Sequence, residues 1–258
     1  MTASIDCEMT KFGFIVPTNK EEILSRNFLK SKIVRDRKHS VILQRGFSNI
    51  GKAYNDGMKK LDAELAICLH QDVFLPDDWE DQVLGSLEKL KRAAWGVLGP
   101  AGIIRVGKRR VILGHVQDRG KEIGPTKDLP AKVETLDELL LIVKNNGQLL
   151  FDEQIPSAQH FFGADICLQA ASKSLGSFAI NAYCHHNSVD GNADTPAFRA
   201  SLAYMQKKWK RRLPFVTTCA LVESKFKENL RHVVNRLGLK PLANKGRQLA
   251  QSDGAPAA

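Results

Sequence analysis

Short apolar runs alternate with stretches of helical periodicity along the first hundred residues. The runs have the length of buried strands, and the stretches between them repeat apolar residues every three or four positions. The predicted strands cover residues 12–16, 40–44, 65–69 and 95–98. The predicted helices cover residues 20–31, 49–61 and 77–90. This alternation predicts an α/β fold with a mostly parallel sheet and right-handed crossovers.

Two of these helices carry further local signals. Ser48 or Asn49 is a natural N-cap for the second helix, and Asp77 or Asp78 can begin the third. The predicted buried face of the third helix holds Trp79, Val83, Leu84, Leu87 and Leu90.

The pattern changes after residue 100 to irregular loops and short antiparallel strands, with a hairpin over 105–115. Further along, the predicted strands are 139–143 and 178–180. One predicted helix begins at 163, and two more cover 196–209 and 218–237. We therefore expect one α/β domain over 1–214, a C-terminal helical extension over 215–245 and a disordered tail over 246–258.

Composition narrows the class of protein. The longest apolar run is shorter than the 18 residues a membrane helix needs, and five cysteines without a CxxC pair predict reduced thiols in a cytoplasmic protein. Two of these, Cys68 and Cys167, stand in apolar patterns and are expected to be buried. P-loop and dinucleotide-binding glycine motifs are absent from the sequence.

The formal net charge of +10 favours an anionic partner: a phosphorylated small molecule, an acidic membrane surface or nucleic acid. The basic segment 207–212 is most simply a solvated helix end, and the alternative is docking on anionic headgroups at the inner face of a membrane or on a phosphorylated acceptor. Because the basic segments lack interleaved aromatic residues, no specific nucleic acid is expected, although a basic nucleic-acid-binding protein remains a third hypothesis.

Polar side chains follow the predicted core elements at three places. His70 and Asp72 come directly after the strand 65–69, and alternation places them on one side, where both can reach one cation. Asp165 opens a helix, and His185 and His186 follow the strand 178–180. Each has a structural alternative, since Asp72 can cap a turn, the helix dipole favours Asp165, and a histidine pair is often a solvated loop. Their shared position at strand ends favours a cation site with a carboxylate base opposite it.

A series of segments in this order resembles family-2-like glycosyltransferases of GT-A fold, and most of all the group typified by the streptomycin-biosynthesis glycosyltransferase-like proteins. The resemblance spans about residues 12 to 214. It is carried by 15–19, 48–57, 70–73, 76–79, 136–137, 151–153, 160–169, the histidine pair before Ser188, and 208–209.

This resemblance implies an inverting, metal-assisted transfer of a hexosyl or N-acetylhexosaminyl group from a nucleotide-diphosphate sugar, with UDP expected, to an unknown acceptor hydroxyl. It implies Mn²⁺ or Mg²⁺ as cofactor, held by Asp72 with His185 or His186, and Asp165 as the general base. The residues that it places against the donor are Pro17, Thr18, Asn19, Gln44, Asn49, Tyr54, His70 and Gln71.

The sequence departs from the family pattern at two places. His70 replaces the first aspartate of the usual Asp-x-Asp motif, so Asp72 is the one carboxylate that the motif keeps. Gln44 stands where many relatives place an acid near the nucleotide base. A nucleotide-sugar-binding protein with little or no turnover is therefore the second hypothesis.

Overall fold

The structure is a computed structural model that describes residues 11–107, 109–124, 126–156, 160–188 and 195–225. Its strands are β1 Phe12–Thr18, β2 Ser40–Arg45, β3 Leu65–Leu69, β4 Val73–Phe74, β5 Trp95–Gly99, β6 Ala101–Val106, β7 Arg109–Gly114, β8 Val116–Asp118, β9 Lys121–Ile123, β10 Ala131–Val133, β11 Thr135–Leu136, β12 Leu140–Lys144, β13 Gly176–Ala179, β14 His185–His186, β15 Phe215–Val216 and β16 Leu221–Val222. Its helices are α1 Glu21–Arg26, α2 Lys32–Arg35, α3 Ile50–Lys60, α4 Trp79–Lys89, α5 Phe162–Ser172 and α6 Pro196–Lys208, with a 3-10 turn at Phe28–Lys30.

A seven-stranded sheet in the order β10-β13-β5-β12-β3-β1-β2 forms the centre of the described fold. Strands β1, β2, β3, β5 and β13 run in one direction, whereas β12 runs antiparallel to both of its neighbours and β10 antiparallel to β13. The predicted α/β class with a mostly parallel sheet is confirmed.

Both faces of this sheet are covered, which explains why its strands have continuous apolar sequences. All five residues of β3 are buried. Leu65, Ile67 and Leu69 join one core with Trp79 of α4, whereas Ala66 and Cys68 join a second core with α3 and α5. The predicted burial of Cys68 and Cys167 is confirmed, and both thiols are free.

Smaller sheets extend the domain beyond the parallel strands. Strands β6 and β7 form a hairpin where one was predicted over 105–115, but its first strand already begins at Ala101. A second sheet has the order β4-β14-β8-β9, so β14 lies between the strand that follows β3 and a strand from the irregular region. This arrangement brings residues 185 and 186 beside the loop after β3.

Three helix predictions differ from the structure within the described residues. The helix predicted over 20–31 ends at Arg26 and is followed by the 3-10 turn Phe28–Lys30. Leu84, expected on the buried face of α4, is 38% exposed, while Ser86 is buried instead. The helix expected over 218–237 does not begin at 218, because β15 and β16 form a hairpin whose turn is closed by a bond from the Thr217 amide to the Ala220 carbonyl. Residues 226–237 and the expected tail 246–258 lie outside the described residues.

Candidate metal and donor site

The chain segment after β3 lies next to β14. In the antiparallel pairing of β4 with β14, Val73 lies opposite His186. The Asn187 amide donates a hydrogen bond of 2.9 Å to the Asp72 carbonyl, and the His70 amide donates one of 3.0 Å to the Leu139 carbonyl. Backbone bonds on both sides therefore fix the segment that carries His70 and Asp72.

His70, Asp72 and His186 form a compact cluster of potential metal ligands. One donor atom from each lies within 4.8 Å of the other two. Nε2 of His186 is 3.4 Å from Oδ1 of Asp72, and the two imidazole rings are 5.7 Å apart. Oδ1 of Asp72 is buried and has no hydrogen-bond partner among the described residues. Since buried acceptors are almost always paired, this oxygen fits a site for a cation.

The electrostatics of the cluster favour cation binding at Asp72 and His70, whereas His186 has to release a proton before it can bind a cation. Burial alone would raise the pKa of Asp72, but the interactions with His186 and His70 outweigh it and the pKa is lowered. Burial and the neighbouring His186 lower the pKa of His70. Burial opposes the charged form of His186 too, but Asp72, Asp137 and Asp118 outweigh it and raise its pKa. An ionised carboxylate and a neutral imidazole are the forms that bind metals.

Asp118, which sequence analysis missed, contacts the other nitrogen of the same imidazole. Its Oδ1 lies 2.9 Å from Nδ1 of His186, and the two residues pair in register between β8 and β14. The only sequence signal was a carboxylate in a stretch interpreted as irregular loops, with nothing to indicate which histidine it would meet.

His185 lies away from this cluster. Neighbouring residues on a strand point to opposite faces, and the ring of His185 lies 5.5 Å from that of Phe74 and 5.3 Å from that of Tyr183. Of the two histidines expected as ligands, the structure therefore brings only His186 to Asp72.

Several of the residues expected at the donor gather at the same edge of the sheet. Thr18 donates its hydroxyl to Oε1 of Gln71 at 2.7 Å, and the Asn19 amide reaches the same oxygen at 3.2 Å. The Gln71 amide nitrogen donates to Oδ1 of Asn19 at 2.8 Å. Because β1 and β3 are parallel, Pro17 and these three residues lie at the carboxyl ends of adjacent strands.

Gln44 and Asn49, also expected at the donor, make internal hydrogen bonds. Gln44 is 5% exposed, and its amide nitrogen donates to the Ala53 carbonyl and to Asp56, at 2.9 and 2.8 Å. Asn49 is the N-cap of α3, as predicted, and accepts a bond of 2.9 Å from the Lys52 amide. Both side chains join α3 to its surroundings.

Tyr54 is 1% exposed, so its ring belongs to the core. The ring lies 4.8 Å from that of Phe151, and the hydroxyl has no hydrogen-bond partner among the described residues. Burial, followed by the charges of Cys68, Glu138 and Asp72, raises the pKa of Tyr54 well above its usual value. The hydroxyl therefore stays protonated.

Asp165 lies in the first turn of α5, as predicted, and is 1% exposed. Its Oδ1 accepts from the Trp209 indole at 2.7 Å and lies 2.6 Å from Nζ of Lys208, while Oδ2 accepts from Gln169 at 2.7 Å. Lys208 also lies 2.5 Å from Oδ2 of Asp152. We call these five residues the Lys208 network. The basic residues of 207–212 lie exposed at the end of α6, as the simple interpretation expected, and the ammonium of Lys208 also bridges two carboxylates.

A pocket beside the start of α5 also escaped sequence analysis. It is lined by Leu136, Glu138, His160, Phe161, Phe198, Thr217, Thr218 and Cys219. Burial raises the pKa of Glu138 well above its usual value, and the adjacent Asp137 adds to the shift. Gly163 permits this packing, since a Cβ there would lie 2.8 Å from the Leu136 carbonyl and 2.9 Å from Cγ of Glu138.

In sequence, this chain resembles part of a curated protein. No family model matches the chain. A curated relative from Fuscovulum blasticum, "ATP synthase subunits region ORF 6", is 28% identical over 151 residues, which are 55% of this chain and 59% of the relative. The described helices include none with the length and apolar character to cross a bilayer.

Among solved structures, GalNAc-T7 with UDP, GalNAc and Mn²⁺ is similar at a TM-score of 0.51 and 12% identity, over 78% of this chain and 48% of that one. Staphylococcus aureus TarS with UDP-GlcNAc has a TM-score of 0.46 and 14% identity, over 77% of this chain and 66% of that one. The chain thus spans about six-tenths of the curated relative and about half of GalNAc-T7. Its fold is of the GT-A type found in glycosyltransferases.

Proposed function

We propose that this chain is a glycosyltransferase that moves a sugar from a nucleotide-diphosphate donor to an acceptor hydroxyl. The observation that carries the proposal is the unpartnered Oδ1 of Asp72, which faces Nε2 of His186 at the carboxyl edge of a GT-A sheet. Ligands of open α/β sheets bind at this edge. The similarity to GalNAc-T7, whose structure holds UDP and Mn²⁺, supports the same class of donor.

The donor nucleotide lies against Pro17, Thr18 and Asn19 in this proposal. Gln71 holds the turn after β1 through four hydrogen bonds, three accepted by its Oε1 and one donated to Oδ1 of Asn19, so that the backbone beyond β1 keeps a fixed shape. Gln44 and Asn49 stabilise α3 beside this region through their hydrogen bonds, and Tyr54 does so by packing in the core. UDP is the proposed nucleotide, and a hexosyl or N-acetylhexosaminyl unit is the proposed sugar.

Asp72 and His186 hold the cofactor in this proposal, with His70 as a third ligand. A divalent cation bound there neutralises negative charge on the departing diphosphate. Two imidazoles beside one carboxylate suit Mn²⁺ better than Mg²⁺, which prefers oxygen ligands and retained waters. His185 is no longer part of the proposed ligand set.

Asp165 is the general base that the resemblance implies, for a transfer with inversion. Its oxygens already accept hydrogen bonds from Trp209 and Gln169 and contact the ammonium of Lys208. An acceptor hydroxyl has to displace one of these three donors before Asp165 can take its proton. The variant Asp165→Asn tests this role.

The proposed location is the cytoplasm, with contact to the anionic inner face of a membrane through the exposed Lys207, Lys210, Arg211 and Arg212. Of the five basic residues in the segment, Lys208 is the one that enters the Lys208 network, and the other four lie outside it.

Calorimetric titration with UDP, with and without Mn²⁺, followed by hydrolysis of a panel of nucleotide sugars, tests the function. We expect UDP to bind more tightly with Mn²⁺, and at least one donor to be hydrolysed by the wild type but not by Asp72→Asn. Binding without hydrolysis of any donor supports the second hypothesis, a nucleotide-sugar-binding protein. The absence of UDP affinity under both conditions contradicts both hypotheses.

A further inference from the structure

The imidazole of His186 is held between two carboxylates. Asp72 faces its Nε2 at 3.4 Å, and Asp118 lies 2.9 Å from its Nδ1. The side chains of His186 and Asp118 are 16% and 18% exposed, so water competes little with their contact. Asp118 belongs to the β8–β9 hairpin, far in sequence from both proposed ligands.

The contact with Asp118 determines the tautomer of His186. An ionised carboxylate only accepts hydrogen bonds, so Nδ1 must be the donor and carry the proton. In the neutral ring, the lone pair of Nε2 then points toward Oδ1 of Asp72. Two acceptors that face each other across 3.4 Å are stabilised by a cation between them.

Asp118 is itself held in place by its own hairpin. Arg119 donates its amide to the His186 carbonyl at 3.0 Å, which extends the pairing of β8 with β14. The Arg119 guanidinium lies 3.3 Å from Oδ2 of Asp118, opposite the oxygen that contacts His186. The left-handed backbone at Arg119 and Gly120, with φ of 48° and 74°, forms the tight turn that returns the chain into β9.

We propose that Asp118 is a positioning residue for the metal site: it fixes the Nδ1–H tautomer and the orientation of His186, so that Nε2 is presented to a divalent cation shared with Asp72. The inference rests on the metal site of the proposed function. Carboxylates that accept from a metal-binding histidine typically contribute 10- to 100-fold to metal affinity.

Calorimetric titration of the full-length chain with MnCl₂ tests the inference in wild type, Asp118→Ala and Asp118→Asn. The matched control is Glu122→Gln, which removes a carboxylate from the same hairpin. Glu122 is bonded to His115 and Tyr183 rather than to His186. We expect both Asp118 variants to bind Mn²⁺ about 10- to 100-fold more weakly than wild type, and Glu122→Gln to bind like wild type.

Nitrogen-15 NMR of the metal-free imidazoles adds a readout that general destabilisation does not move. We expect the neutral His186 ring to carry its proton on Nδ1 in wild type and Glu122→Gln, and to lose this preference in Asp118→Ala. Thermal melts exclude unfolded variants from the comparison.

Two outcomes overturn the inference, and they are distinguishable. If the Asp118 variants bind Mn²⁺ as tightly as wild type while Asp72→Asn does not, the metal site stands and the role of Asp118 is wrong. If wild type itself shows no Mn²⁺ affinity, with or without UDP, the metal site of the proposed function fails and the inference fails with it.

Discussion

Two clusters of shielded carboxylates in this molecule differ in how completely they are paired. In the Lys208 network, both oxygens of Asp165 meet donors at 2.6–2.7 Å, and one of those donors is a cation. At the candidate metal site, Oδ1 of Asp72 is buried and finds no hydrogen-bond partner in the described part of the chain. Burial of an acid is therefore common to both, and incomplete pairing distinguishes the site that can take a ligand.

The physical reason is the cost of placing an ionised group away from water. A buried carboxylate is stable when its oxygens are hydrogen-bonded and its charge is compensated. The Lys208 network meets this condition within the protein. Asp72 meets it only in part among the described residues, since its Oδ1 lies 3.4 Å from Nε2 of His186 without forming a hydrogen bond. A bound cation would complete the pairing.

The largest expected effect is on stability, from Asp165→Ala. Removing one partner of a buried ion pair leaves the other without compensation, at a cost of about 3 to 5 kcal/mol. Because Lys208 keeps Asp152 at 2.5 Å, we expect the lower end of that range. Urea denaturation measures the loss. A change below about 1 kcal/mol, the size of a surface ion pair, would mean that the two clusters are not as different as their contacts indicate.

The next effect is on cation affinity, from Asp72→Asn. We expect Mn²⁺ binding to weaken about 100-fold or more, since a direct ligand contributes at least as much as the groups that orient it. Stability should fall less than in Asp165→Ala, because the contact that Asp72 makes with His186 is 3.4 Å long, whereas Asp165 meets its donors at 2.6–2.7 Å. Mn²⁺ titration and urea denaturation of the same preparation give both values. If Asp72→Asn lost much stability but bound Mn²⁺ as tightly as wild type, Asp72 would be a structural carboxylate like Asp165 and not a metal ligand.

A smaller effect is expected from pH, through Asp152. Burial tends to raise its pKa, but bonds from Lys208, the Gln154 amide and Tyr204 outweigh burial and lower it. A lowered carboxyl pKa stabilises the fold above the usual carboxyl pKa, and this contribution is lost as the pH falls through the lowered value.

The comparison of wild type with Asp152→Asn isolates that contribution. We expect wild type to be more stable by about 1.5 kcal/mol at neutral pH, the size of a hydrogen bond to a charged group, and the two proteins to converge in acid. Urea denaturation at a series of pH values checks this. A difference that stays constant down to the acid range contradicts the assignment.

The smallest effect is expected from His185→Ala. Its ring packs on Phe74 and Tyr183 and lies outside the cluster. We expect Mn²⁺ affinity to stay within about twofold of wild type, whereas His186→Ala should lose most of it, as for a direct ligand. Equal losses in the two variants would show that the face assigned to each histidine is wrong.

The sequence predicted the strands and helix caps whose formation depends on residues close together in the chain. The apolar run 65–69 became β3, and Asn49 capped α3 through a bond to the Lys52 amide. The helix at 218 was wrong because the apolar spacing of that segment also suits a hairpin, which pairs Phe215 with Val222. In a short segment, apolar residues repeated every three or four positions do not decide between a helix and a hairpin.

Long-range pairing set the parts of the site that the sequence did not reveal. One of His185 and His186 had to face the loop after β3, but the choice depends on the register of β14 against β4 and β8. Asp118 meets His186 across 68 residues, and Lys208 meets Asp152 across 56. Neither contact has a local pattern, so only the assembled sheets and helices show them.

Mn²⁺ titration of wild type and Asp72→Asn side by side, each with and without UDP, tests the cation site most directly. The account predicts a saturable Mn²⁺ site in wild type that tightens when UDP is present, and its loss in Asp72→Asn with the fold intact. Equal Mn²⁺ binding by the two proteins would contradict it, because the free oxygen of Asp72 would then have no role in holding a cation.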